Sequence, residues 1–141
     1  MVRATLEDIA VAADGSYFLM LLVSEEGEVL PISIGLLEAQ AIAAGRARER
    51  FSRPLTHDLF TSLLELLGAS LERVEITDLV EGVYYARLIL AHRGIELEID
   101  ARPSDAVALL VRSEAPLFVA RKVMDASGHL EDFSKGGGAE A

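Results

Sequence analysis

Two short segments concentrate the residue types that do phosphate chemistry. Arg53-Pro54-Leu55-Thr56-His57-Asp58 and Asp100-Ala101-Arg102-Pro103-Ser104-Asp105 each set Arg-Pro just ahead of a helix start. Each gathers an arginine, a hydroxyl and a carboxylate around that start. Free N–H groups and the positive helix end attract anions, and a guanidinium adds a fork of donors to a phosphate. Carboxylates bind hard divalent cations, which polarise a phosphodiester and acidify their bound water. These are the parts of a metal-assisted hydrolase. On that reading Asp100, Asp105 and Asp58 supply carboxylates, His57 is the acid/base, and Arg53 and Arg102 clamp phosphate beside the Thr56 and Ser104 hydroxyls. Asp100 and Asp105, five apart across a strand-to-helix turn, can converge on one Mg or Mn ion. Glu38, beside the Gly35 strand end, is a further carboxylate for the metal. The plainer reading is that Asp and Ser at helix starts are caps, worth about 1 kcal/mol each, and that Arg–Asp pairs tie loops to helices.

The elements that must hold these residues follow from periodicity. Residues 2–13 read as a strand, Asp14-Gly15 as a hairpin turn, and Tyr17–Val23 as a strand buried on both faces. Val29–Ile34 follows, with Pro31 marking an edge or bulge. Leu36 to Arg50 has helical period, with Leu36, Leu37, Ala41, Ile42 and Ala44 on its inner side and Glu38 facing outward. Pro54 disfavours helix at Arg53, and Thr56 reads as the cap of a helix over Thr56–Leu67 that Gly68 stops. Leu59, Phe60, Leu63, Leu64 and Leu67 form its apolar stripe. Leu71–Leu79, Val83–Ala91 and a half-buried strand alternating Ile95, Leu97 and Ile99 with Glu96, Glu98 and Asp100 come next. Ser104 reads as the cap of a helix over Ala106–Arg112, followed by a strand at Leu117–Val119 and a last helical turn at Arg121–Ala126. The expected class is α+β, two antiparallel β-meanders with grouped helices in one compact domain over 1–133, with a disordered Gly-rich tail over 134–141.

Composition bounds the function. The chain has 141 residues, 51 % of them hydrophobic, too many for a disordered polymer. With no cysteine there is no disulfide framework, thiolate metal site or cysteine nucleophile. The N-terminal residues do not form a signal peptide, and no apolar run is long enough to span a bilayer, so a cytoplasmic protein without a membrane partner is expected. The net charge of −10 argues against binding nucleic acid through a broad basic surface. Residues 36–53 are the exception, with four arginines against two glutamates. The Ala-rich helix and the Tyr17–Val23 strand suggest an additional buried face, hence a homodimer or larger homo-oligomer.

Together these stretches resemble the bifunctional nuclease domain family. Pro31-Ile32-Ser33-Ile34-Gly35 with Glu38-Ala39, Arg53-Pro54-Leu55-Thr56-His57-Asp58-Leu59, Leu67-Gly68-Ala69, Gly82-Val83-Tyr84-Tyr85-Ala86 and Ile99-Asp100-Ala101-Arg102-Pro103-Ser104-Asp105-Ala106 carry the resemblance, over roughly residues 2–120. It implies hydrolysis of both DNA and RNA, with nucleic acid as substrate. Two other functions compete on the residues alone: a non-catalytic oligomeric or regulatory module in which the Arg-Pro turns are architectural, and a binder of a small phosphorylated ligand.

Overall fold

The computed structural model describes residues 1–127 and the backbone of 139–140. Strands β1 (Val2–Val11), β2 (Phe18–Ser24) and β3 (Val29–Ile34) form an antiparallel meander. Helices α1 (Leu36–Arg46) and α2 (Thr56–Leu67) follow, then a second antiparallel meander of β4 (Ala69–Val80), β5 (Val83–His92) and β6 (Ile95–Ala101). Helix α3 (Pro103–Leu110), strand β7 (Leu117–Val119), helix α4 (Arg121–Ser127) and the two-residue strand β8 (Ala139–Glu140) complete the order. The class is α+β. The expected tail otherwise lies outside the described residues.

The sheet runs β6-β5-β4-β7-β1-β2-β3-β8. Three-residue β7 lies parallel to β4 and antiparallel to β1, so it joins two local meanders into one sheet. Both hairpins of the second meander turn through two residues of positive φ, Glu81-Gly82 and Arg93-Gly94. That geometry matches the strand twist and favours glycine at its second position. The core holds Met20 and Leu22 of β2, Ile32 of β3, Ile76 of β4, Val107 of α3 and Met124 of α4. Arg121 donates to both oxygens of Glu28 at 2.7 and 2.6 Å, and Lys122 lies 2.7 Å from Asp78, fixing α4 across the sheet. No helix among the described residues is long and apolar enough to cross a membrane.

Several expectations are corrected. Helix α1 ends at Arg46, not Arg50, because Arg48 takes a left-handed φ of 55°. Its buried residues are Ala39, Ile42, Ala44 and Gly45, while Leu36 and Leu37 are exposed. Strand β2 is not sealed on both faces: Met20 and Leu22 are fully buried, but Leu21 and Val23 only partly. Strand β6 is an edge strand with no covering layer, so Ile95, Leu97 and Ile99 stay exposed. Two of its acidic residues meet arginines: Arg73 binds Glu96, and Arg87 binds Glu98. Between these arginines the buried Glu75 accepts from both. Burial opposes its charge, but the two guanidinium hydrogen bonds outweigh that and hold its carboxyl below the usual range.

The helix layer closes around one residue that sequence reading does not single out. Arg112, just after α3, has a side chain only 7 % exposed. Its Nε donates to Asp58 of α2 at 2.7 Å. One terminal nitrogen donates to the carbonyls of Ala41 in α1 at 3.0 Å and Ala108 in α3 at 2.7 Å. Gly45 makes room for it: a Cβ there would lie 2.5 Å from that nitrogen and 2.7 Å from a Val111 methyl. Gly45→Ala is therefore expected to destabilise the fold by about 1–3 kcal/mol despite alanine's better helix propensity. Urea unfolding checks this, and unchanged or raised stability would refute the packing argument.

Candidate functional site

The two Arg-Pro segments do come together, but not as symmetric caps. Leu55, in extended conformation, is the N-cap of α2, and Thr56 is its first helical residue. The stop at Leu55 follows from Asp58, whose Oδ2 accepts the Leu55 N–H at 2.9 Å. Thr56 is therefore not the cap. Arg102 is the N-cap of α3, with Pro103 at its first position. Proline there loses no helical hydrogen bond. Ser104 is not the cap either; it is 3 % exposed and lies in the core. The helix starts arise from backbone geometry and from a carboxylate three residues inside, which single-residue cap preferences do not reveal.

Where the starts of α2 and α3 meet, His57 Nε2 lies 3.0 Å from Asp105 Oδ1. Arg102 Nε donates to the other oxygen, Oδ2, at 3.0 Å. Asp105 thus spans a histidine from one segment and an arginine from the other. Burial pushes its carboxyl up, but the hydrogen bonds from Arg102 and His57 outweigh burial and bring it below the usual aspartate value. The Asp105 hydrogen bond first, with a smaller field from Glu38, raises the Arg102 guanidinium above its ordinary value. The His57 side chain is mostly buried, whereas Arg102 is largely exposed. An imidazole oriented by a carboxylate beside an open guanidinium can handle a proton next to an anion.

This cluster opens into a cleft of about 800 Å³. Its lining is apolar at Leu37, Ala41, Ala44, Phe51 and Leu55. Its polar lining is Glu38, Glu49, Thr56, His57, Arg102 and Asp105. Glu38 packs tightly on the backbone where β3 runs into α1: a Cβ on Gly35 would sit 2.8 Å from its Oε1. A second, mainly apolar groove of about 570 Å³ touches the other side of the same pair, lined by Leu59, Leu63 and Ile99 together with His57, Asp100 and Asp105.

The remaining expected site residues separate. Asp58 faces away from His57 toward Arg112, and its role in this structure is to cap α2 and bind that guanidinium. Asp100 is exposed on β6 and lines only the second groove. Arg53 is exposed and lines neither cavity. Among the described residues no group of three or more His, Asp or Glu is placed to hold a metal ion. The donor set nonetheless fits a hydrated Mg or Mn, which keeps several waters and takes one or two carboxylates plus substrate phosphate. Glu38 and Glu49 are the cleft carboxylates that could meet such an ion, while both oxygens of Asp105 are engaged by His57 and Arg102.

Comparison with known proteins then identifies relatives. The family model described as the bifunctional nuclease domain matches residues 19–132. An uncharacterized protein of Mycobacterium tuberculosis is 45 % identical over 101 residues, 72 % of this chain and 60 % of that protein. Bifunctional nuclease 1 of Oryza sativa subsp. japonica is 32 % identical over 109 residues, 74 % of this chain and 33 % of the rice protein. Bifunctional nuclease 1 of Arabidopsis thaliana is 27 % identical over 105 residues, 72 % of this chain and 32 % of that protein. The chain therefore spans 60 % of the mycobacterial relative and about a third of each plant one.

The Asp58 cap has a pH signature. Its carboxyl lies below the ordinary value of 3.8, held down first by the Arg112 hydrogen bond and then by the Leu55 N–H. A carboxylate depressed on folding stabilises above its unfolded value, and that contribution disappears as pH falls through the folded one. Wild type should exceed Asp58→Asn in stability at neutral pH, and the gap should narrow as pH drops below 3.8. Denaturant titrations at stepped pH read this; a pH-independent gap would show that the ion pair does not act through charge.

Proposed function

Because the chain belongs to the bifunctional nuclease domain family, we propose that it hydrolyses phosphodiester bonds of DNA and RNA at the cleft between the starts of α2 and α3. The observation that carries this reading is the His57–Asp105–Arg102 cluster at an open cleft. In the tautomer whose Nε2–H is given to Asp105, His57 Nδ1 keeps a lone pair. That nitrogen takes a proton from water as the water oxygen bonds to phosphorus. The bond from phosphorus to the leaving alkoxide breaks, and the histidinium returns the proton to the alkoxide. Arg102 and the first N–H groups of α2 bind the non-bridging oxygens. Glu38 would hold a hydrated Mg or Mn ion, which would neutralise charge on the phosphate. Such a cation also offsets the repulsion a polyanion meets from a chain of net charge −10.

Phe51 gives the cleft a second recognition element. It lines the cleft and is 51 % exposed, between Arg50 and Arg53 in sequence. An exposed ring in a cleft that also holds Arg102 suits a base stacked out of a single strand. The purely architectural reading of the two segments fits Asp58, which is locked to Arg112, but not Asp105, whose cleft is accessible.

A nuclease assay on rigorously purified protein is the direct test. His57→Ala is expected to lower the cleavage rate by about 10²–10⁴-fold while the protein stays folded. Equal cleavage by wild type and variant would point to a contaminant and sink the assignment. Phe51→Ala should raise the apparent KM for single-stranded substrate about tenfold and leave kcat little changed. Glu38→Gln should shift the activating Mg or Mn concentration upward, and activity fully retained in EDTA would remove the metal from the scheme. A nucleotide that raises the melting temperature without turnover would favour a phosphorylated-ligand binder instead.

A further inference from the structure

The arginine-rich stretch that follows α1 has no part in the cleft chemistry derived above. Its first arginine is structural: the Arg46 guanidinium donates to the Glu7 carbonyl of β1 at 2.7 Å and lies 3.7 Å from the Asp8 carboxylate. Arg48 and Arg50, both exposed, line a third cavity of about 460 Å³. This cavity shares Ala44 and Glu49 with the cleft, so the two adjoin at the end of α1. Arg112 lines it too, but its donors are engaged by Asp58 and by two carbonyls. Among the described residues no hydrogen bond or ion pair engages the side chain of Arg48 or Arg50.

The backbone at Arg48 is a second and independent sign. The Glu49 N–H donates to the Ala44 carbonyl at 3.0 Å and the Arg48 N–H to the Gly45 carbonyl at 3.1 Å. That pair of bonds is the Schellman ending of a helix, whose left-handed position is usually glycine. Helix α2 ends on Gly68 at φ 73°, but α1 places Arg48 there, at φ 55°. The other positive-φ side chains among the described residues, Glu81 and Arg93, stand in hairpin turns that need positive φ at two successive positions. A side chain in the left-handed region is strained, and at Arg48 no contact within the chain offsets that strain.

We propose that Arg48 and Arg50 form a phosphate subsite, which receives the sugar-phosphate backbone of a polynucleotide where it leaves the cleft beyond Phe51. The subsite rests on the nuclease reading of that cleft. Arg50 adjoins Phe51 in sequence, and the two side chains line neighbouring cavities. A base stacked on the ring and a phosphate held by the guanidinium then belong to adjoining positions of one strand. Each guanidinium offers a fork of donors to a phosphate without first breaking an ion pair. Glu49 and Glu114 line the same cavity, so it is no broad basic track. Phosphate is held only where the two forks reach, and the carboxylates beside them oppose any looser anion. The cleft binds the scissile phosphate, and the arginines bind a flanking one.

The test is fluorescence anisotropy of a labelled single-stranded DNA of about 12 nucleotides, at salt from about 0.05 to 0.2 M. The full chain carries His57→Ala throughout, so that the strand stays whole. Arg48→Gly and Arg50→Gln should each weaken binding roughly five- to tenfold at the lowest salt. Each should also make the slope of log affinity against log salt shallower by about 0.7. Arg3→Gln removes the same charge from an exposed position on β1 that lines none of these cavities, and should change neither. Glu114→Gln, inside the cavity, should tighten binding. Arg48→Gly should at the same time raise the urea midpoint, because glycine takes positive φ freely, so its weaker binding is not a damaged fold. If both arginine variants bind with unchanged affinity and salt slope, the subsite is overturned and the cleft reading stands. Equal weakening by Arg3→Gln overturns it as well, since net charge alone then explains the effect. If the strand does not bind saturably even with both arginines present, the subsite falls together with the reading it rests on.

Discussion

The helix layer depends on one buried cation. Arg112 reaches from the end of α3 to the Asp58 carboxylate of α2 and to carbonyls in α1 and α3. A guanidinium removed from water must find acceptors for its donors, because a buried unpaired charge is costly. Here those acceptors belong to three different helices. Satisfying Arg112 therefore fixes the helices relative to one another. Gly45 is the matching steric condition, since any side chain on that turn of α1 would occupy the place of the guanidinium.

The site is a consequence of that constraint. Arg112 and the Leu55 N–H together orient Asp58, which sets where α2 begins. Once α2 begins at Thr56, His57 stands on the helix side that faces α3 and reaches Asp105. The two aspartates at the helix starts thus divide the labour. Asp58 is bound into the architecture, and Asp105 lies at the cleft between an imidazole and an exposed guanidinium. Both are lowered below the ordinary carboxyl range, so the direction of the shift does not distinguish the roles. Their partners do: Asp105 meets His57 and the largely exposed Arg102 at an open cleft, whereas Asp58 meets the Leu55 N–H and Arg112, whose side chain is only 7 % exposed.

Charge follows the same division between what is local and what is assembled. The acidic strip of β6 is largely neutralised along the outer face of the second meander by Arg73 and Arg87. The cleft retains Glu38, Glu49 and Asp105 against Arg102. A polyanion approaching this cleft meets a mixed field rather than a basic track. Its capture then relies on directed donors, stacking on an exposed ring and mobile cations more than on bulk attraction.

By itself the sequence determined the local units. Alternation and turn chemistry placed both meanders, because strand period and positive-φ turns are properties of adjacent residues. The Arg-Pro segments marked both helix starts, because proline restricts the residues around it. Only the tertiary structure decided how those units close. β7 is three residues long, and nothing in Leu117-Phe118-Val119 says that it joins β4 to β1. The pairings His57–Asp105 and Asp58–Arg112 span 48 and 54 residues, so no local pattern distinguishes the aspartate that caps from the one that faces the cleft. Burial of β6 and α2 also had to be read from the assembled layers. An apolar stripe shows that a face seeks cover, but whether the same chain supplies that cover depends on which elements reach it.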